Sequence, residues 1–257
     1  MKNHLALLIT SFFLLSFVPG TWIVEKQEKF TLFFDSSDIM ERNLYIKFFE
    51  QGIEKVEKFT GKPYHRRFAV YVHSSRTSFD EQWQRDWKMP EFISECWMVA
   101  SGVGDKLDII APSQWKEQSC EHELSDTVAT QKLITHELMH VYHGQVNRDS
   151  VFDSLDNLDW LVEGLAVFAS GQCDKKRIAE VKALIKMKQS PTLLADFWKG
   201  KDKYGLSGSM VMYVDNHYGR KKLLSLLQMN SSTEVLTALK TNEKALITEW
   251  GKYVSGL

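Results

Sequence analysis

Residues 133–144 read LITHELMHVYHG. His136 and His140 stand four positions apart, so on a helix their imidazoles lie one turn apart on one face and can converge on a single metal ion. Glu137, directly after the first histidine, points to the side of that face. In a His-Glu-x-x-His arrangement it is a general base rather than a ligand. Two histidines leave zinc under-coordinated, because a catalytic site takes three protein ligands and keeps one position open. The segment DWLVEGLAVFASG (159–171) offers the third in Glu163, on a second helix that can fold back against the first. Gly164 and Ala166 are small enough to let those two helices approach closely. His143, seven positions after His136 and so near the same face, is a competing ligand.

HELMH followed by WLVEGLA resembles the gluzincins, the zinc peptidases with two histidines and a downstream glutamate that include thermolysin and the alanyl aminopeptidases. Further along, SPTLLADFW, YGLSGSMVMYVDNHYG and KKLLSLL resemble the peptidase MA-like branch, so the likeness runs over roughly 125–229. The metzincin pattern is excluded, since it needs Gly and His where this chain has His143 and Val146. The resemblance implies a zincin-like fold, one zinc ion held by His136, His140 and Glu163, Glu137 as general base, and a peptide or protein substrate. It also implies Tyr204 as the donor to the tetrahedral oxyanion, with Tyr213, Tyr142 and His217 as alternatives. Two departures qualify it. Val167 stands where thermolysin has an aspartate that orients a ligand histidine, which leaves Asp156 and Asp159 as candidates for that task. The Gly-x-Met-x-Asn segment by which aminopeptidases capture a free amine is missing, so the choice between end-on and internal cleavage stays open.

These residues need elements to hold them. EKFTLFFD (28–35) and RFAVYVHS (67–74) read as strands, separated by a helix from Asp38 to Thr60 that Gly61 and Pro63 stop. SFDEQWQRDW (78–87) is a short helix or turn, and residues 96–115 make two extended segments around a turn containing Gly102 and Gly104. From Ser125 the pattern is helical: a motif helix capped by Ser125 or Asp126 and ending about Gln145, then helices near 158–171, 174–188, 202–217, 219–229 and 232–254. Strands first and helices later give an α+β domain over 21–257, with a sheet lobe at about 28–115 and a helical lobe at about 125–257. An extended substrate is expected to add to an edge strand within 97–111.

Lys2 and the apolar run Leu5–Val18 form a secretory signal over residues 1–20, so the mature chain is expected to be exported, secreted or periplasmic. The run is shorter than the roughly 20 residues of a bilayer span, and retention as an anchor is the alternative reading. With 32 basic and 33 acidic side chains and a net charge of −1, nothing recommends nucleic acid or an anionic membrane as partner. Export makes a disulfide possible among Cys96, Cys120 and Cys173. Cys96–Cys120 is the pairing expected, closing a loop of about 25 residues and contributing on the order of 3 kcal/mol, against three reduced thiols. Trp83, Trp87, Trp97, Trp115 and Trp198 are read as packing residues, with a cleft-lining or carbohydrate-binding role as the alternative. The function expected is that of an exported zinc-dependent peptidase. The competing reading is a zincin-fold binding or envelope-assembly protein that holds zinc without peptidase activity.

Overall fold

The computed structural model describes residues 22–257, so the expected signal run at 1–20 lies outside the described residues. Alternating burial along Phe30–Phe34 (β2) and Phe68–His73 (β3) makes two strands, joined by the helix Arg42–Thr60 (α1) and lying parallel to one another. Gly61 ends α1 in the left-handed region (φ 68°), which a residue without a Cβ adopts at no steric cost. A short strand that sequence reasoning missed, Ile23–Lys26 (β1), pairs antiparallel with β2. Ala100–Val103 (β4) and Lys106–Ile110 (β5) form an antiparallel hairpin, with β5 parallel to β3. The resulting five-stranded mixed sheet runs β1-β2-β3-β5-β4, which leaves β4 at an edge. The hairpin turns at Gly104–Asp105, while Gly102, expected in the turn, lies within β4.

The helix Arg76–Trp87 (α2) starts at Ser75, whose side chain accepts from the Ser78 N–H, and a single turn, Trp115–Gln118 (α3), follows β5. The motif helix Thr127–Val146 (α4) is capped by Asp126, which accepts from the Ala129 N–H. Asp159–Ser170 (α5), Lys175–Lys186 (α6), Lys203–Tyr218 (α7) and Arg220–Ser225 (α8) follow. The helix expected over 232–254 is two helices, Ser232–Leu239 (α9) and Glu243–Gly256 (α10). Lys240 turns left-handed (φ 54°), and the Asn242 side chain recaps the chain on the Ala245 N–H, so local turn chemistry overrides a continuous apolar period. The whole is α+β, with sheet first and helices after, and no helix among the described residues is long and apolar enough to cross a membrane.

Helix α4 is sandwiched between α1, α5 and the β4 edge, with Leu133, Ile134, Leu138, Met139 and Val141 all buried. Close approach is bought by glycine on the faces that meet it. A Cβ on Gly52 would come within 2.5 Å of Leu138 Cδ1, and one on Gly102 would collide with the Glu137 carbonyl oxygen. Gly164, expected to draw α5 toward α4, instead faces α7, where a Cβ would lie 2.5 Å from the Ser207 carbonyl oxygen. Cys96 and Cys120 are disulfide-bonded, with Cα atoms 5.5 Å apart, and Cys173 is free.

Candidate metal centre

Capped at Asp126 and held on three sides, α4 has no freedom to rotate about its axis, and this fixes where its histidines point. The His136 and His140 Nε2 atoms are 3.0 Å apart. Glu163 Oε2 of α5 lies 3.3 Å from the first and 3.5 Å from the second. Both histidines are buried and Glu163 is half-buried. For a tetrahedral ion with ligand bonds near 2.05 Å the ligand–ligand edge is about 3.3 Å, and the three observed edges straddle that value.

The hydrogen bonding of His136 leaves its other ring nitrogen aimed at this point. His136 Nδ1 lies 2.9 Å from Gln172 Oε1, so Nδ1–H donates to the amide oxygen and Nε2 is left with its lone pair exposed. That lone pair faces a carboxylate oxygen and a second imidazole nitrogen, a concentration of acceptors that a cation relieves. Burial alone would raise the Glu163 pKa, but the charge and hydrogen bonds that His140 and His136 offer when protonated outweigh it and hold the carboxyl well below the usual carboxylate range, and a metal cation can take the place of those protons. The group His136–His140–Glu163 can therefore hold a metal ion, and its two imidazoles point away from magnesium or calcium, which take oxygen ligands.

No protein-family model matches the chain, and no curated protein matches it.

The sequence left the histidine-orienting residue unidentified, with Asp156 and Asp159 as candidates; neither fills the place, and Gln172 stands there instead. Asp156 is exposed and bridges by its backbone to the segment before α9, whereas Asp159 lies on the cleft wall without a hydrogen bond to either histidine. Gln172 sits just past Gly171, the left-handed residue that ends α5 (φ 79°), and this turn swings its side chain back onto α4. Its backbone carbonyl accepts from Arg177 Nη1 at 2.6 Å. The available signal was the glycine stop directly after the Glu163 helix, which marks where the chain must reverse beside the histidines.

Glu137 projects beside the metal group into the same cleft. Burial pushes its carboxyl up to about 7, the Glu163 charge adds to the rise, and His136 and the Gly102 N–H oppose it. His143 does not join the group: it is buried, its Nε2–H donates to the Leu227 carbonyl at 3.0 Å, and burial drives its pKa down to about 3. Tyr204, near the start of α7, lines the cleft with its ring centroid 6.4 Å from that of His136. Burial, with the Glu163 and Glu137 charges, raises its hydroxyl to about 12. The alternatives to Tyr204 lie elsewhere. Tyr142 is buried edge-on to Tyr64, and Tyr213 stacks on the exposed His217, away from the cleft.

The cleft has a volume of about 610 Å³. One wall is β4. Val99 accepts from the Ile110 N–H, so residues 99, 101 and 103 pair with β5. By the alternation of an antiparallel ladder, the N–H and C=O groups of Ala100 and Gly102 face away from the sheet toward α4 and the cleft. Indole rings line it too. Trp83, Trp87, Trp97 and Trp198 all line the cleft, the alternative to a packing role, although Trp83 also packs against the core, while Trp115 is a core residue whose indole N–H donates to the Ile110 carbonyl.

Proposed function

We propose that this protein is an exported zinc-dependent peptidase of the gluzincin type, with a zincin-like fold. One observation carries the reading: a two-histidine, one-carboxylate group with tetrahedral edges, a free carboxylate beside it, and an unpaired strand edge share one cleft. Export rests on the apolar run at 5–18.

His136, His140 and Glu163 would hold the ion. A bound zinc ion supplies Lewis acidity, polarising a scissile carbonyl and bringing the pKa of water toward neutrality. Glu137 is the proton acceptor and afterwards the donor to the leaving amine, because its carboxylate is next to the group yet outside the ligand set. The outward N–H and C=O of Ala100 and the outward C=O of Gly102 bind an extended peptide backbone and bring one of its carbonyls over the group, while the Gly102 N–H is held by the Glu137 carboxyl. Tyr204 stays protonated at neutral pH, so its hydroxyl donates a hydrogen bond to the oxygen on which negative charge develops.

The test is metal analysis and digestion of a mixed peptide library on one sample, with Glu137→Gln alongside. Zinc in both proteins and cleavage by the wild type alone is the expected result. Iron in place of zinc would redirect the reading to oxygenase-type chemistry, for which two histidines and a carboxylate are also a suitable donor set. Zinc in both proteins and cleavage by neither would favour the metal-binding, non-hydrolysing role.

A further inference from the structure

Lys203 is an anomaly in the cleft. It is the first residue of α7, where the positive end of the helix dipole disfavours a cation. Its ammonium stands over three aromatic rings, 4.7 Å from the Trp198 centroid, 5.0 Å from Trp97 and 5.5 Å from Tyr204. Such a cage orients a cation by its ring quadrupoles, and among the described residues no protein acceptor hydrogen-bonds this half-exposed ammonium. Among the described residues no carboxylate lies within 4.0 Å of it, although Asp153, Asp159 and Glu163 line the same cleft. An ammonium aligned by three rings, lining the substrate cleft and still lacking an anion, is a ligand-binding group with one face free.

Distance fixes what that face can meet. The Lys203 ammonium is 5.5 Å from the Tyr204 ring, whose centroid is 6.4 Å from that of His136. At roughly 3.3 Å per residue, an extended chain crossing the metal group reaches the ammonium within about three to four residues of the bond to be broken. The rings around Lys203 suit the apolar carbons of the same substrate segment. Resting on the peptidase reading above, we propose that Lys203 is a specificity-determining residue that binds a carboxylate of the peptide substrate, within reach of the cleavage site.

That carboxylate has two sources, a C-terminal α-carboxylate or an Asp or Glu side chain, and matched probes separate them. The measurement is equilibrium binding to zinc-loaded Glu137→Gln protein, read by tryptophan fluorescence. The probes are short synthetic peptides in three forms: free acid, C-terminal amide, and free acid with each Asp and Glu replaced by Asn and Gln. Lys203→Met and Lys203→Arg are built in the same background, and cleavage of the same peptides by wild-type protein is followed in parallel. The free acid is expected to bind at least tenfold more tightly than one of the neutralised forms. That ratio should fall to within about twofold of unity in Lys203→Met and return in Lys203→Arg. Loss on amidation identifies the α-carboxylate, whereas loss on Asn/Gln replacement identifies a side chain. Equal binding of all three forms, or a ratio that survives in Lys203→Met, overturns the proposal even where cleavage is robust. A Lys203-dependent ratio without any cleavage sustains the carboxylate site and overturns the peptidase reading, and absence of peptide binding at millimolar concentration overturns both.

Discussion

Replacing Gln172 by Met tests the argument for the metal centre at its least conspicuous residue. The substitution keeps side-chain length and removes the acceptor for His136 Nδ1–H, a 2.9 Å bond at a half-buried site. The backbone carbonyl of residue 172 still accepts from Arg177, so the turn after α5 is undisturbed. One neutral hydrogen bond contributes about 0.5–1.5 kcal/mol, and without its partner the His136 proton redistributes onto Nε2, the atom that must bind metal. Together these give about 1.4 kcal/mol or somewhat more, hence a tenfold or larger weakening of zinc, in line with the 10–100-fold typical of residues that orient a ligand. Zinc affinity would be read by competition with a chromophoric chelator at neutral pH, with thermal melts in EDTA to show that both proteins are equally folded. Gln172→Glu, which offers a stronger acceptor, should bind zinc at least as tightly as the wild type. An unchanged zinc affinity in folded Gln172→Met would refute the claim that this amide sets the tautomer of His136.

Glu137→Gln should retain a full equivalent of zinc while peptide hydrolysis falls by at least a hundredfold, measured on one library digest. Gly102→Ala drives a methyl into the Glu137 carbonyl and should destabilise the fold by about 1–3 kcal/mol by urea denaturation, with activity falling along with it. The buried His143 has a folded pKa near 3, below its unfolded value of about 6.5, so its neutral form stabilises the fold above pH 6.5. That contribution fades as pH drops from about 6.5 toward 3. Measured in EDTA, His143→Gln should therefore lose less stability over this interval, by up to about 1.4 kcal/mol per pH unit. Replacing Cys96 and Cys120 by Ser should lower stability by about 3 kcal/mol and loosen the segment that bears Trp97, seen as a red shift in its fluorescence.

How much of this could be read from the chain depended on whether the cause was local. The strands of FTLFF and FAVYVH, the α4 cap at Asp126 and the stop at Gly61 follow from side-chain alternation and turn chemistry within a few residues. His136, His140 and Glu163 were legible because helical spacing places the first two, and one helix carries the third. Gln172 was not, because its role arises only when a left-handed glycine folds it across to another helix. The same holds for Lys203, whose significance lies in three rings drawn from separate segments at 97, 198 and 204. β1 escaped notice because a four-residue strand with alternate exposed positions carries almost no periodic signal. For the tryptophans the sequence left packing and cleft lining as alternatives, because an aromatic residue has the same appearance in sequence whether it faces inward or a cleft.

The position of β4 at the sheet edge has one more consequence. An uncovered strand edge ordinarily invites any other strand to pair with it and so seeds aggregation. Here the outward side of Ala100 and Gly102 faces the Glu137 helix and a cleft that four tryptophans help to line, which narrows the approach to it. Only a solitary, extended chain with its own N–H and C=O groups unspent can enter, and a segment already committed to a helix or sheet has none to offer. On the peptidase reading, a client protein would first have to come undone at the bond to be cut, and the free energy of that local opening would be subtracted from its affinity. On the peptidase reading proposed above, selection would then act on the state of the client as much as on its residues, favouring tails, linkers and unfolded polypeptides over their well-folded counterparts.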